Sequence, residues 1–452
     1  MASRFHLELA LTPEGWRHDV VIRIDHGIIA SVEEPDDQPA ERISGVVVPG
    51  LPNLHSHAFQ RAMAGLTERR GSDADSFWTW REAMYRFVER LSPDDLEAIA
   101  AFAYMEMLEA GFTSVAEFHY LHHQPDGTPY DNVAEMSERI VAAAETAGIG
   151  LTLLPVLYRQ SGFLGKPPTP AQRRFVCDRD VYARLMETRV PTGTIGIAPH
   201  SLRAVTLDDL QWAALTWHGL PAHIHIAEQT REVEECLAAH RRRPIDLLLD
   251  TIESEVGELD ASRWCLVHAT HADAGELTRI VKANAVVGLC PITEANLGDG
   301  LFDAPAFLAQ GGRFGIGSDS LVRISAADEL RTLEYGQRLM HRQRNVLGET
   351  TRSTGRRLFE AAAAGGAQAM GRSWPVGRIG TGARADFVVL DHHHPALAAA
   401  QGDSLLDAWL FAADNAAIKT VYCGGVPVVQ NGRHLAREPL SQRYRKVLAN
   451  LA

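Results

Sequence analysis

Residues 49–60 read PGLPNLHSHAFQ and continue an apolar run that begins at Val46. On an extended strand, side chains at i and i+2 share a face, so His55 and His57 can offer two imidazole nitrogens to one point in space. Such a pair suits a metal ion, for which neutral imidazole is the commonest ligand. The chain holds 20 histidines, however, and a chance His-x-His is unremarkable, since isolated histidines are more often packed or surface residues. The pair gains meaning only from what stands at equivalent places elsewhere.

From Val46 to about Gly317, short apolar segments alternate with long Ala- and Leu-rich stretches of helical character, which indicates repeated βα units and a parallel sheet. Eight strand candidates, residues 45–49, 114–118, 151–157, 194–198, 222–227, 265–269, 285–290 and 314–318, predict an α/β fold, a (β/α)8 TIM barrel. Before them, Asp25, His26 and Gly27 separate two β-branched runs within residues 19–34, the mark of an antiparallel hairpin. After them, residues 385–391, 418–425 and 426–430 read as strands joined by Gly-Gly and Asn-Gly turns. Both chain ends, residues 1–47 and 368–452, are therefore expected to form one small β-sandwich domain beside a barrel spanning 48–367. The tract His392, His393 and His394 reads as a solvent-exposed loop after a strand, with metal binding as the alternative.

The 452 residues and 46% apolar content allow a large core. A net charge of -13 argues against nucleic acid or an anionic membrane as partner, and the basic run Arg241 to Arg243 reads as a solvated helix end. Five scattered cysteines without Cys-x-x-Cys spacing exclude a disulfide framework and a thiolate zinc site. The polar N-terminus lacks the apolar run of a secretory signal, and no segment reaches membrane-spanning length, so a cytoplasmic soluble protein is expected.

Chemistry in a barrel gathers at the C-terminal ends of its strands. There strand five carries His223, His225 and Glu228, strand six His268 and strand eight Asp319. Taken singly, His223 and His268 could be hydrogen-bonded core residues, Asp319 a helix N-cap and Glu228 a surface carboxylate. Falling together at strand ends, in a chain that also holds His55 and His57, they point to a metal site. The motifs PGLPNLHSH (49–57), His225-x-x-Glu228, His268, Gly-Ser-Asp319 and GARADFVVLD (382–391) strongly resemble the amidohydrolase superfamily over nearly the whole chain. That resemblance implies that His55, His57, His225 and Asp319 hold one divalent metal per subunit, zinc or another divalent ion, with His268 beside the metal's water. Binuclear relatives bring a carbamylated lysine from strand four; here that strand runs IAPHSLR (197–203), so a mononuclear, deaminase-type site is implied. Three imidazoles and a carboxylate leave a coordination position for water, whose pKa the metal lowers toward ~7. In the family's hydrolytic deaminations Asp319 and His268 deprotonate and aim that water, while Glu228 protonates the substrate nitrogen and then the leaving ammonia.

Three basic candidates stand near the site: Arg81 in FWTWR (77–81), and His200 and Arg203 after strand four. Guanidinium forks match carboxylates in bidentate fashion, so an anionic, carboxylate-bearing substrate is expected, although each arginine alone could be a structural ion-pair partner. The segments HSHAFQRAMAG (55–65), FWTWR, EFHY (117–120) and PHSLR (199–203) closely resemble the formimidoylglutamate deiminases of bacterial histidine degradation. This implies hydrolysis of the dicarboxylate N-formimidoyl-L-glutamate to N-formyl-L-glutamate and ammonia. Gln60, Arg81, Tyr120, His200 and Arg203 would contact it, and a homodimer is implied. Two alternatives stay open: another mononuclear deaminase, of S-adenosylhomocysteine or guanine type, and a catalytically silent binding module, which would be expected to have lost metal ligands. The aromatic residues 78–81 could form a lid or pack in the core.

Overall fold

The computed structural model describes residues 3–69, 76–253, 260–371 and 375–451. Four strands lie in the N-terminal part: β1 (Ser3–Thr12), β2 (Gly15–Asp25), β3 (Ile28–Glu33) and β4 (Glu41–Pro49). Nine follow: β5 (Leu51–Ser56), β6 (Phe112–His119), β7 (Gly150–Leu157), β8 (Thr194–Ile195), β9 (Ala198–Pro199), β10 (Ala222–Ile226), β11 (Trp264–His268), β12 (Val286–Leu289) and β13 (Arg313–Ile316). The C-terminal part adds β14 (Phe387–Leu390), β15 (Ile418–Cys423), β16 (Val426–Gln430) and β17 (Arg433–His434).

Strands β5 to β13 form a parallel sheet ordered β10-β11-β12-β13-β5-β6-β7-β8, with β9 also pairing with β7. Parallel bridges from Ile197 to Ala222 and from Ser201 to His225 join its two ends, closing a barrel of eight strand positions. Position four is split between β8 and β9. At Gly196, between them, a Cβ would lie 2.7 Å from the Pro221 carbonyl oxygen and a Leu154 methyl, so the chain passes too close to its neighbours to carry a side chain. Every residue of β6 and β7 is buried, which is why these strands read as apolar runs without alternation.

The first barrel strand is not residues 45–49, as the sequence suggested. That apolar run belongs to β4, which pairs with β1 and β14 in the other sheet, and the barrel begins at β5 after the single residue Gly50. A Cβ on Gly50 would strike the Thr113 side chain at 2.2 Å, so glycine lets the chain pass directly from one sheet to the other.

The second sheet is ordered β17-β16-β15-β14-β4-β1-β2-β3 and combines both chain ends. It curls so that its halves face each other. The Phe5 ring on β1 lies 5.5 Å from Tyr422 on β15, whereas three strand spacings in a flat sheet would separate them by roughly 14 Å. Phe5, Leu7, Ile22, Val47 and Phe387 fill the enclosed core.

The helix Thr354–Met370 crosses the N-terminal ends of the barrel strands. His223 bonds through Nε2 to the Ala369 carbonyl (2.8 Å), and the Thr152 hydroxyl donates to that of Met370 (3.2 Å). His223 is thus the core-packed histidine, remote from the chemistry. This helix seals one end of the barrel and leaves the C-terminal strand ends open for function. Arg241 and Arg242 are exposed beyond the helix Thr230–His240, but Arg243 pairs with the buried Glu276 at 2.8 Å, so the basic run is only partly a solvated helix end.

Candidate metal centre and active site

The ends of β5 and β13 are clasped together before any side chain is considered. Asp319 N donates to His55 O (3.0 Å) and His57 N to Asp319 O (3.1 Å), while Asn53 exchanges two 3.0 Å bonds with Ser318. Four residues at or just past strand ends adopt left-handed backbone that non-glycine residues seldom occupy: Ala227 (φ 50°), His268 (φ 70°), Ala269 (φ 49°) and Asp319 (φ 43°). Such conformations persist where surrounding contacts overdetermine them, and here they turn polar side chains onto the barrel axis.

His55, His57, His225 and Asp319 converge, with ligand atoms all within 4.8 Å of one another. His57 Nδ1 bonds to the Phe118 carbonyl (2.9 Å) and His225 Nδ1 to that of His200 (3.1 Å), so both rings carry their proton at Nδ1 and turn an Nε2 lone pair inward. His55 Nε2 lies 3.2 Å from His57 Nε2 and 3.0 Å from His225 Nε2. Asp319 Oδ1 stands 3.5 and 3.3 Å from His55 and His57. Burial depresses all three imidazoles below their ordinary range and holds them neutral. Clustered lone pairs and a carboxylate need a cation among them, and a nitrogen-rich set with one oxygen ligand fits a divalent transition metal.

His268 and Glu228 flank this cluster. His268 Nε2 is 3.8 Å from both Glu228 Oε1 and Asp319 Oδ2, and its Nδ1 faces Glu294 Oε1 at 3.2 Å. Burial alone would depress this imidazole, but Glu228, Glu294 and Asp319 outweigh it and raise the group to about 10. Burial also raises Glu228, against the pull of His268 and Arg203. Both titratable groups thus stand perturbed beside the candidate metal cluster.

A cavity opens from them, walled by Tyr85, Tyr120, Tyr158 and Phe175 and reached by Gln60, Arg81, His200 and Arg203. The helix Phe77–Val88 forms one side, so the aromatic segment belongs to the cavity wall. Gln60 donates to the Tyr120 hydroxyl (3.0 Å), and its buried Oε1 has no partner among the described residues. The Arg81 guanidinium sits against the rings of Trp78 (4.6 Å), Tyr85 (5.6 Å) and Phe77 (5.9 Å), with no carboxylate paired to it among the described residues. Arg203 differs, for it lies 3.7 Å from buried Glu232 and 4.0 Å from Glu228. His200 is depressed by burial and by the nearby Arg203, so it enters the cavity as a neutral hydrogen-bonding ring and not as a third cation.

The sequence reading did not single out Tyr85, Tyr158, Phe175 or Glu294. Tyr158 carried a usable signal, because it directly follows β7, and Glu294 stands five residues past β12. Tyr85 and Phe175 come from a helix face and a loop, with no strand end to mark them.

A closed parallel barrel that gathers His-x-His, a third histidine and an aspartate at its strand ends defines a metal-dependent hydrolase, and the chain belongs to the amidohydrolase family, whose model matches residues 46–428. Within that family, it is 50% identical to the formimidoylglutamate deiminase of Pseudomonas aeruginosa, covering 99% of each chain. An amidohydrolase crystal structure from Brucella melitensis superposes with a TM-score of 0.93 at 50% identity, covering 99% of each chain. The 5-methylthioadenosine/S-adenosylhomocysteine deaminase of Haloarcula marismortui is more distant, at 26% identity over 90% of this chain and 88% of its own.

Proposed function

We propose that this enzyme hydrolyses N-formimidoyl-L-glutamate to N-formyl-L-glutamate and ammonia, the deimination step of histidine degradation, with one zinc per chain. The observation that carries the reading is the pairing of a carboxylate-free Arg81 with Arg203 in the cavity that also holds the metal ligands. A dicarboxylate supplies the anion that Arg81 lacks and a second one for Arg203, which also faces Glu232 and Glu228.

His55, His57, His225 and Asp319 would hold the metal, which would supply the Lewis acidity that makes water a nucleophile at neutral pH. Asp319 receives the proton, and His268 aims the water, as the water oxygen bonds to the formimidoyl carbon and the C=N π pair moves onto nitrogen. Glu228 carries a proton to that nitrogen. As the C–N bond then breaks, the proton left on the former water oxygen passes to the departing nitrogen by way of Glu228, so ammonia leaves and the formyl C=O forms; the proton on Asp319 restores the one Glu228 first gave, which conserves every atom of substrate and water. Arg81 and Arg203 hold the carboxylates, and Gln60, Tyr120 and His200 supply the neutral hydrogen bonds that orient the glutamyl chain. The aromatic walls limit bulk water around the reacting carbon.

Homodimerisation and a cytoplasmic location complete the proposal; among the described residues no helix is long and apolar enough to cross a membrane. Ammonia release from N-formimidoyl-L-glutamate, N-formimidoyl-L-aspartate, guanine and S-adenosylhomocysteine tests the substrate. Turnover of the glutamate compound alone is expected; turnover of a purine instead would discard the carboxylate pocket while keeping the metal site.

A further inference from the structure

Glu294 is a buried carboxylate to which the reaction described above gives no task. It belongs to the short helix Pro291–Leu297, which starts directly after β12. Its Oε1 accepts from Cys290 N (2.9 Å) and faces His268 Nδ1 at 3.2 Å. This helix is fixed independently of Glu294: Ile292 N donates to buried Glu329 (2.9 Å), and the Thr293 hydroxyl meets Ser320 Oγ at 2.9 Å, one residue beyond Asp319. The carboxylate therefore stands at a set position relative to both Asp319 and the ring it contacts. Cys290 Sγ, His268 Nδ1 and a Glu294 oxygen approach within 4.8 Å, but the backbone N–H and the ring already occupy Oε1, so hydrogen bonding accounts for the cluster.

We propose that Glu294 is a positioning residue: by accepting from Nδ1–H it fixes the rotation of His268 so that Nε2 faces Glu228 and Asp319. The ring also stacks on that of His225 (centroids 5.6 Å), but the bond at Nδ1 is the one side-chain hydrogen bond His268 makes among the described residues. Its backbone is left-handed at φ 70°, and Nε2 is 3.8 Å from each of the two carboxylates, beyond hydrogen-bond reach, so Nδ1 is its anchoring contact. A ring free to flip would lose the geometry in which water is aimed, while the cavity that binds substrate stays intact. Carboxylates that anchor the far nitrogen of a working histidine act this way in other sites, where their loss costs about 10- to 100-fold.

The role rests on the deiminase reading for its kinetics but not for its spectroscopy, and the test uses both. With N-formimidoyl-L-glutamate, Glu294→Ala is expected to lower kcat by about 10- to 100-fold with KM within about threefold. Glu294→Gln, whose amide oxygen can accept the same two bonds, is expected to recover part of that loss and to guard against misfolding of the alanine variant. In ¹⁵N-histidine-labelled protein, metal-free and zinc-loaded, long-range nitrogen–proton correlations are expected to show a proton on His268 Nδ1, with a changed signal in Glu294→Ala. Alanine and glutamine variants that both keep wild-type kcat, or a wild-type His268 without a proton on Nδ1, would overturn the inference. If wild-type enzyme ignores this substrate while His268 keeps its Nδ1 proton, the proposed function fails and the positioning role stands.

Discussion

Replacing Arg81 by methionine separates substrate recognition from everything else the site does. Methionine keeps an unbranched, apolar side chain against Trp78 and Tyr85, so packing survives. What disappears is a guanidinium whose described contacts are ring faces 4.6 to 5.9 Å away. At a partly exposed position such contacts contribute about 0.5–1 kcal/mol, so the thermal midpoint is expected to move little. A charge-assisted hydrogen bond to a substrate carboxylate contributes about 1.5–3 kcal/mol, and each 1.4 kcal/mol is tenfold, so kcat/KM for N-formimidoyl-L-glutamate is expected to fall by roughly 10- to 150-fold. The control is a carboxylate-free N-alkylformamidine, which offers the same reacting carbon and should lose nothing further. Steady-state ammonia release on both compounds gives the answer. An equal loss on both, or no loss on the dicarboxylate, would refute the claim that Arg81 holds a carboxylate. Arg203 is a less clean probe, because it also faces buried Glu232 and Glu228, whose charges its removal would leave uncompensated.

Arg203→Met is accordingly expected to lower both kcat/KM and the thermal midpoint, and a variant with a native melting curve would show that Glu232 does not depend on it. Glu228→Gln is expected to retain stoichiometric metal by elemental analysis while turnover falls by about 10²- to 10⁴-fold; an active variant would remove the proton-shuttling role. Gly365→Ala tests the sealed end of the barrel. Its Cβ would lie 1.9 Å from the Phe314 carbonyl oxygen, so the helix Thr354–Met370 must shift, with an expected loss of about 1–3 kcal/mol in denaturant unfolding.

The candidate metal site was legible because barrel geometry puts chemistry at strand ends, and its four residues stand at the end of β5, near the end of β10 and just past β13. The boundary between the two sheets was less so. Val46, Val47 and Val48 are buried in either assignment, and only Gly50 marks where one sheet passes to the next. The break in strand four was hidden for a related reason, since Gly196 reads as an ordinary small residue until Pro221 and Leu154 are seen against it. Charge was harder still. His200 looks basic in sequence, but its burial and the neighbouring guanidinium make it neutral. Glu294 looks like a surface residue of a short helix until its bond to His268 is known.

The most direct test of the account is a zinc titration of metal-free enzyme, following ammonia release from N-formimidoyl-L-glutamate. Activity is expected to rise linearly and to break at one equivalent per chain, as four converging ligands predict. Full activity in the metal-free protein, or a break only at two equivalents, would contradict a single metal at the centre of the reaction.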